Sequence, residues 1–200
     1  MKIYRYVIDH DMGFSPNPFH GVCTLANCKP VIRRVANIGD FVMGFGSSKS
    51  DIRYRLIYWM RVGQIMTFNE YWHDLRFEQK KPIVNGSHLK FHGDNIYRYD
   101  ASGNVIQEPS FHSLPNGLPN IRNINTDTGS TDKVLVADIF GYYGKRALSV
   151  PDCFSGIVAV GRGHRTAHSH ELRDAVINWL LQDTPNGFCG EPSGWKEIPK

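Results

Sequence analysis

The chain has 200 residues and a formal net charge of +4 at pH 7. A chain of this length can bury a core without metals or disulfides, so we expect one compact domain over residues 1–200. No apolar run approaches the roughly 20 residues that cross a bilayer. Met1–Tyr6 lacks the apolar segment of a signal peptide, so we expect a cytoplasmic protein without membrane contact.

Alternation of apolar with polar residues, together with β-branched and aromatic content, predicts the strands. They cover residues 2–8, 41–45, 55–66, 89–92, 95–99, 133–140 and 156–160. A hairpin is predicted around Ser102-Gly103. Residues 107–132 are polar and rich in Pro, Asn and Thr, which predicts a long surface loop.

Helical signals are fewer, and they predict helices over residues 30–36, 69–74 and 170–181. The last helix has apolar residues at helical spacing, and Ser169 is its predicted N-cap. Abundant Gly, Pro and aromatic residues favour strands and loops over a helical bundle. The predicted class is therefore α+β, with a strongly curved mixed sheet or a small β-barrel and a few flanking helices.

Thiols and imidazoles are concentrated in the loop that follows the first strand. His20, Cys23 and Cys28 have a spacing that zinc could tolerate, but the paired knuckles of a zinc site are missing, so no metal is predicted. Activation of Cys23 as a nucleophile by His20 is the alternative, but packing of Cys23 in a buried element is favoured. The four cysteines include no CxxC pair and are predicted to be reduced.

Polar side chains of the same loop are candidates for ligand recognition. Asn17 and Asp11 can address base edges or sugar hydroxyls, and His20 can donate to phosphate or transfer a proton. His10 and Phe19 flank them and are added to the binding set. The structural alternative is that Asn17 and Asp11 cap the loop.

A glycine-serine segment follows the second long strand. Gly44 and Gly46 precede Ser47, Ser48 and Lys49, a composition that resembles a phosphate cradle of backbone N–H groups and hydroxyls. The segment lacks the Walker A spacing and opens no helix, which argues against ATP hydrolysis. Gly46 and Ser47 are the candidates taken from it.

Aromatic and basic residues interleave over residues 68–82. Tyr71 or Trp72 is predicted to stack on a base, while Arg76 and Lys80 contact phosphate. The alternative is an amphipathic helix whose aromatic residues lie in the core. A basic turn at 161–165 has Arg162 between two glycines, with His164 and Arg165 after them. These residues could clamp phosphate, or the turn could simply precede the last helix.

Together these motifs resemble a known family over nearly the whole chain. They are Gly13-Phe14-Ser15-Pro16-Asn17-Pro18-Phe19-His20-Gly21, Cys23-Thr24-Leu25-Ala26, Cys28-Lys29-Pro30 with Ile32-Arg33, Gly39-Asp40-Phe41-Val42 with Gly44 and Gly46-Ser47, Tyr71-Trp72 with Asp74 and Arg76-Phe77, Lys80 with Pro82, Gly93-Asp94-Asn95-Ile96-Tyr97, and Gly161 with Gly163-His164. The sequence is similar to the second type of nucleotide modification associated domain, often labelled a putative DNA base hypermodification protein in bacteria and phages. The resemblance implies an association with DNA base modification.

A second similarity is at the level of pattern and concerns the PUA-like superfamily, which includes the EVE and ASCH domains. Ile32-Arg33-Arg34, Gly39-Asp40, Phe45-Gly46-Ser47, residues 57–66 and residues 71–74 occur in the order found there. This resemblance implies a small barrel that holds a flipped or modified base.

We therefore expect the ligand to be a nucleotide or a base in nucleic acid, with modified DNA as the partner and no cofactor. The catalytic candidates are His20, Asp11 and His164. The binding candidates are His10, Asn17, Phe19, Arg33, Arg34, Gly46, Ser47, Tyr71, Trp72, Asp74, Arg76, Lys80, Asn95 and Arg162. Three classes remain open: a non-catalytic reader, a transferase or hydrolase with His20 and Asp11 as its acid–base pair, and a small-molecule or protein-binding domain. The sequence does not indicate an oligomeric state.

Overall fold

The chain divides into two compact units in the computed structural model, which describes residues 1–161, 163–166 and 168–195. The first unit comprises Met1–Met12, Asn37–Gly63 and the described part of Ala137–Lys200. The second comprises Gly13–Ala36 and Gln64–Val136. Each unit is thus assembled from segments that are far apart in the sequence.

The strands form a mixed sheet and a separate hairpin. They are β1 (Ile3–Ile8), β2 (Thr24–Leu25), β3 (Phe41–Gly46), β4 (Leu56–Thr67), β5 (Tyr97–Tyr99), β6 (Val105–Gln107), β7 (Lys133–Tyr142), β8 (His164–Arg165) and β9 (Gly187–Phe188). The sheet order is β2-β7-β4-β3-β1-β8, with β9 also paired to β7, and β5 pairs with β6. β1 is parallel to β3 and antiparallel to β8. Among the described residues no pairing joins β2 to β8, so the sheet is not a closed barrel.

The α-helices are α1 (Pro30–Val35), α2 (Phe68–His73), α3 (His88–Phe91), α4 (Ile121–Thr128) and α5 (His170–Asp183). Short 3-10 helices cover Leu75–Lys80, Gly144–Arg146 and Asp152–Ile157. The few helices beside a mixed sheet confirm the predicted α+β class. Within the described part of the chain, no helix combines the length and apolar character that a membrane crossing needs.

Local sequence signals explain where two of the helices begin. The Thr67 hydroxyl accepts from the backbone N–H of Glu70, and the Glu70 carboxylate accepts from the backbone N–H of Thr67. These two hydrogen bonds form a capping box at the start of α2. Ser169 caps α5 as predicted, because its hydroxyl accepts from the N–H of Leu172.

Three elements differ from the prediction. Residues 89–92 were expected to form a strand, but α3 lies there, because alternation over four residues does not separate a strand from a single helical turn. Residues 156–160 were expected to form a strand, but the first two of them belong to the 3-10 helix Asp152–Ile157. The N–H of Val158 donates to the carbonyl oxygen of Ser155 at the end of this helix. The expected loop 107–132 contains α4, which is polar and begins where Asn120 accepts from the N–H of Asn123.

The core of the first unit lies between the sheet and α5. Residues of β3 and β4 such as Phe41 and Trp59 pack with Val176 and Leu180 of the helix. The Trp59 indole N–H is satisfied inside this core by the hydroxyls of Tyr143 and Thr184, at 2.9 and 3.1 Å. The Trp59 side chain therefore packs in the core at the middle of β4 with its one polar group hydrogen-bonded.

Candidate functional site

In the first unit, Asp11 has structural partners. Its Oδ1 accepts from the Tyr142 hydroxyl, and its Oδ2 accepts from the N–H of Ser193 at 2.9 Å. His10, immediately before it, is exposed. His164 lies on β8 opposite Tyr6, and its ring centroid is 6.3 Å from that of Tyr4. Their catalytic and binding roles stay predictions.

The glycine-serine segment uses its backbone groups within the protein. The N–H of Gly46 donates to Arg55, and the N–H of Ser47 donates to Ile8. A Cβ on Gly46 would lie 2.0 Å from the carbonyl oxygen of Ile52, so glycine is required for this close approach. Phosphate binding by these two N–H groups would compete with existing hydrogen bonds. Arg162, another of the predicted binding residues, lies outside the described residues.

The second unit contains a buried network around Lys80 and Asn17. The Lys80 ammonium donates to the Asn17 backbone oxygen at 3.0 Å and to its Oδ1 at 2.6 Å. The Asn17 amide nitrogen donates to the carbonyls of Gly13 and His92. Lys80 is 1% exposed. In this arrangement its ammonium fixes the N-terminal loop and does not face solvent.

A buried carboxylate, Asp94, lies in the same unit. It accepts from the hydroxyls of Thr24 and Tyr71, at 2.6 and 2.8 Å. Burial raises the pKa of Asp94 and lowers that of Lys80, while the opposite charge of each partly offsets the effect on the other. Asn95 is also buried, and its amide nitrogen donates to the backbone oxygen of Tyr71. The Tyr71 ring packs against Phe77 within the core.

The remaining loop candidates differ in exposure. Cys23 is fully buried, and burial raises the pKa of its thiol to about 12, which agrees with the packing role favoured above. Phe19 is also buried, and its N–H donates to Asn17 Oδ1 at 3.4 Å. His20 is exposed. Partial burial of its ring and the charge of Lys80 lower the pKa of His20, and a hydrogen bond with Gln79 opposes this shift.

The adjacent arginines of α1 have opposite environments. Arg33 is fully buried and donates from Nε to Cys28 O, from Nη1 to Lys133 O and from Nη2 to Asp127 O. Arg34 is exposed. Of these two predicted binding residues, only Arg34 therefore presents its side chain to solvent in this arrangement.

An aromatic and cationic surface lies at the end of α2, and we call Trp72, Lys81 and Arg98 the Trp72 surface. The Lys81 ammonium is 4.2 Å from the Trp72 ring centroid, and the Arg98 guanidinium is 5.5 Å from it. Trp72 is partly exposed. Nearby in the chain, Arg76 forms a bidentate ion pair with Asp74 and remains largely exposed. The sequence predicted Trp72 but did not identify Lys81 or Arg98 as its neighbours.

The second unit also brings together a thiol, an imidazole and a carboxylate that the sequence analysis did not connect. The Cys28 sulfur is 3.8 Å from His112 Nε2, and His112 Nδ1 is 2.8 Å from Asp127 Oδ2. We call these residues the Cys28 cluster. The signals were present, since Cys28 precedes α1 and His112 lies in the polar segment. Asp127 was hidden because α4 was not predicted.

The hydrogen bonds around Asp127 hold this cluster together. Asp127 Oδ1 accepts from the N–H of Cys28 at 2.7 Å, and Oδ2 also accepts from the Tyr97 hydroxyl at 2.9 Å. Burial alone would lower the pKa of His112, but its contacts with Asp127 and Cys28 outweigh burial and raise it to about 9. His112 is therefore an imidazolium at neutral pH.

Aromatic rings line one side of the Cys28 cluster. Phe14 and Phe111 lie 4.5 and 6.3 Å from the His112 ring, measured between centroids. Phe14 is buried, whereas Phe111 is 39% exposed. The described residues include no group of three or more His, Cys, Asp or Glu side chains placed to hold a metal ion.

The fold and these sites define an α+β protein of two units, with buried polar networks and a Cys-His-Asp cluster in the second. Over residues 1–198 the sequence matches the family described as nucleotide modification associated domain 2, and the chain belongs to that family. The predicted resemblance is confirmed. No curated protein and no solved structure matches the chain. Family membership indicates a role in nucleotide or DNA modification.

Proposed function

We propose that this protein binds a nucleotide, or a base in nucleic acid, as part of DNA base modification. The observation that carries the proposal is the Trp72 surface, in a chain whose family is associated with nucleotide modification. An indole is a stacking partner for a base. Lys81 and Arg98 lie over the ring and pair with Glu78 and Glu108, so a stacked base would displace them from the ring and phosphate would replace their carboxylate partners. Arg34, exposed in the same unit, adds positive charge for the backbone of a longer ligand, and Arg76 is exposed there in its ion pair with Asp74.

The preferred ligand is DNA in which the recognised base is unstacked. A base inside a duplex has no free face for an indole, whereas an extruded or single-stranded base has two. Damaged or mismatched bases are extruded at lower cost, so selectivity for a modified base that weakens pairing can arise from this step. Binding should then be tighter to a single strand than to a matched duplex of the same sequence.

Replacement of Trp72 by alanine tests the proposal. We expect Trp72→Ala to weaken binding to short DNA by about 1–3 kcal/mol, because one base–indole stack is lost. Lys81→Met should instead reduce the slope of log K against log salt by about one, because one phosphate contact is lost. Fluorescence titration with normal and modified oligonucleotides and with free nucleotides, at low and moderate salt, measures both effects.

Leu75→Ala is the matched control, because Leu75 lies in the adjacent 3-10 helix and is 84% exposed. It should leave affinity and salt dependence unchanged. Equal affinity of the Trp72→Ala variant and the wild-type protein for every oligonucleotide and nucleotide would refute the Trp72 surface as the binding site.

The second candidate function is an enzyme that acts on modified nucleotides with His20 as its base. The lowered pKa of His20 supports it, because a neutral imidazole at pH 7 can accept a proton. If His20 is catalytic, His20→Ala should retain binding and lose turnover. If the protein is a reader that uses His20 for contact, the same variant should lose affinity, and no turnover should be found in the wild-type protein. Nucleoside analysis of treated DNA beside the binding titration distinguishes these results.

A further inference from the structure

We propose that Cys28 is a catalytic nucleophile, with His112 as its acid–base partner and Asp127 as the positioning residue, and that the site takes an acyl compound, an ester or amide carbonyl, as substrate. That this substrate carries a nucleotide rests on the function proposed above. The thiol chemistry does not depend on that function.

The three groups lie in the order of a nucleophile, its base and a positioning acid. The two ring nitrogens of His112 face different partners, Nδ1 towards Asp127 at 2.8 Å and Nε2 towards the Cys28 sulfur at 3.8 Å. A buried acid on one nitrogen holds the imidazole in place and leaves the other nitrogen directed at the nucleophile. Asp127 has no exposed side-chain area, so this orientation is fixed from inside the unit.

The backbone of Cys28 is held at both ends of the residue. Its N–H donates to Asp127 Oδ1 at 2.7 Å, and its carbonyl accepts from Arg33 Nε at 2.9 Å. Thus the carboxylate that orients His112 also positions the residue that carries the thiol. A nucleophile and its base that share one anchor keep their mutual geometry when the surrounding surface moves.

Access distinguishes Cys28 from Cys23. Cys28 is partly exposed, whereas Cys23 has no exposed area. The exposed Phe111 ring lies beside His112 and offers an apolar face on the substrate side. A thiol that solvent and ligands can reach beside an imidazolium has the properties of reactive cysteines.

The reaction is a two-step acyl transfer. The thiolate form of Cys28, paired with the His112 imidazolium, attacks the carbonyl carbon, and a tetrahedral adduct forms. The adduct collapses to a thioester as the carbon–heteroatom bond breaks, and the leaving group takes the bonding electrons and a proton from His112. Water then attacks the thioester, and His112, neutral after giving its proton to the leaving group, accepts a proton of the water. The carbon–sulfur bond breaks, a carboxylic acid is released, and the Cys28 thiolate and the His112 imidazolium are restored.

The test uses 4-nitrophenyl acetate and the full-length protein. We expect a burst of 4-nitrophenolate, with the acetyl group found on Cys28 by peptide mass spectrometry. Cys28→Ser should abolish the burst, and Cys153→Ser should not change it, because Cys153 is an exposed cysteine outside the Cys28 cluster. His112→Asn keeps a side-chain donor for Asp127 and removes the nitrogen that faces sulfur, and it should slow acetylation of Cys28 about tenfold or more.

The pH profile of acetylation provides a readout that a structural role of His112 would not move. The wild-type rate at Cys28 should stay high down to neutral pH, and in His112→Asn it should shift to higher pH. Should His112→Asn fail to fold, the comparison of Cys28 with Cys153 inside the wild-type chain still decides the question. Acetylation of Cys28 no faster than that of Cys153 would overturn the proposal, and this outcome does not depend on whether any nucleotide binds.

Discussion

Replacing Arg33 with alanine lowers the free energy of unfolding by about 3 kcal/mol or more, the expected cost of leaving buried hydrogen-bond partners unsatisfied. Three carbonyl oxygens, those of Cys28, Asp127 and Lys133, would lose their guanidinium donors. Each loss costs about 1 kcal/mol, and the vacated volume next to the Phe68 ring adds a cavity term. Urea unfolding of the wild-type and variant proteins measures the difference.

Arg34→Ala is the matched control, since Arg34 is the next residue of α1 and its side chain is exposed. Its change in unfolding free energy should stay within about 0.5 kcal/mol, as is usual for surface positions. A loss of stability for Arg34→Ala equal to that for Arg33→Ala would contradict the structural role of Arg33. In binding experiments, Arg34→Ala is also the informative variant, because any loss of affinity in Arg33→Ala would be mixed with unfolding.

The contrast between Arg33 and Arg34 shows where sequence reasoning stops. Two identical residues stand side by side in a helix of six residues, which is too short for apolar periodicity to show which one faces inwards. The acceptors of Arg33 lie just before its own helix, near the end of α4 and at the start of β7. Such an environment exists only after long-range contacts form.

The strands of the sheet were easier to predict than the environment of Arg33, because they depend on local sequence and not on long-range contacts. β3 is buried throughout, and β4 begins with five buried apolar residues, so the positions of these strands follow from local composition. The hairpin of β5 and β6 followed from its Ser-Gly turn. In contrast, α4 was missed because Asn and Thr fill it and only its capping and packing identify it. The Cys28 cluster depends on that helix, so the sequence could name Cys28 as metal-capable but not find its partners.

The stability of the protein should depend on the protonation of His112. Because the folded-state pKa of about 9 exceeds the ordinary value of 6.5, the folded protein binds this proton more tightly than the unfolded chain does. The stabilisation is complete below pH 6.5 and is lost as the pH rises through about 9. The difference between the two pKa values corresponds to about 3 kcal/mol.

The measurement compares urea unfolding of the wild-type protein and of His112→Asn between pH 6 and about 9.5, so that other titrating groups cancel. The extra stability of the wild-type protein should fall by about 3 kcal/mol across this range. Asp127 and Cys28 face His112 directly, and Arg33 and Tyr97 bond to Asp127, so these groups set the shift. Cys28→Ser should reduce the pH dependence without abolishing it, because the hydrogen bond to Asp127 is the largest single contribution that raises the pKa of His112 and Cys28 supplies others. A flat difference between wild type and His112→Asn would mean that His112 is neutral in the folded protein, and acyl transfer would then have to begin from a thiol and an unprotonated base.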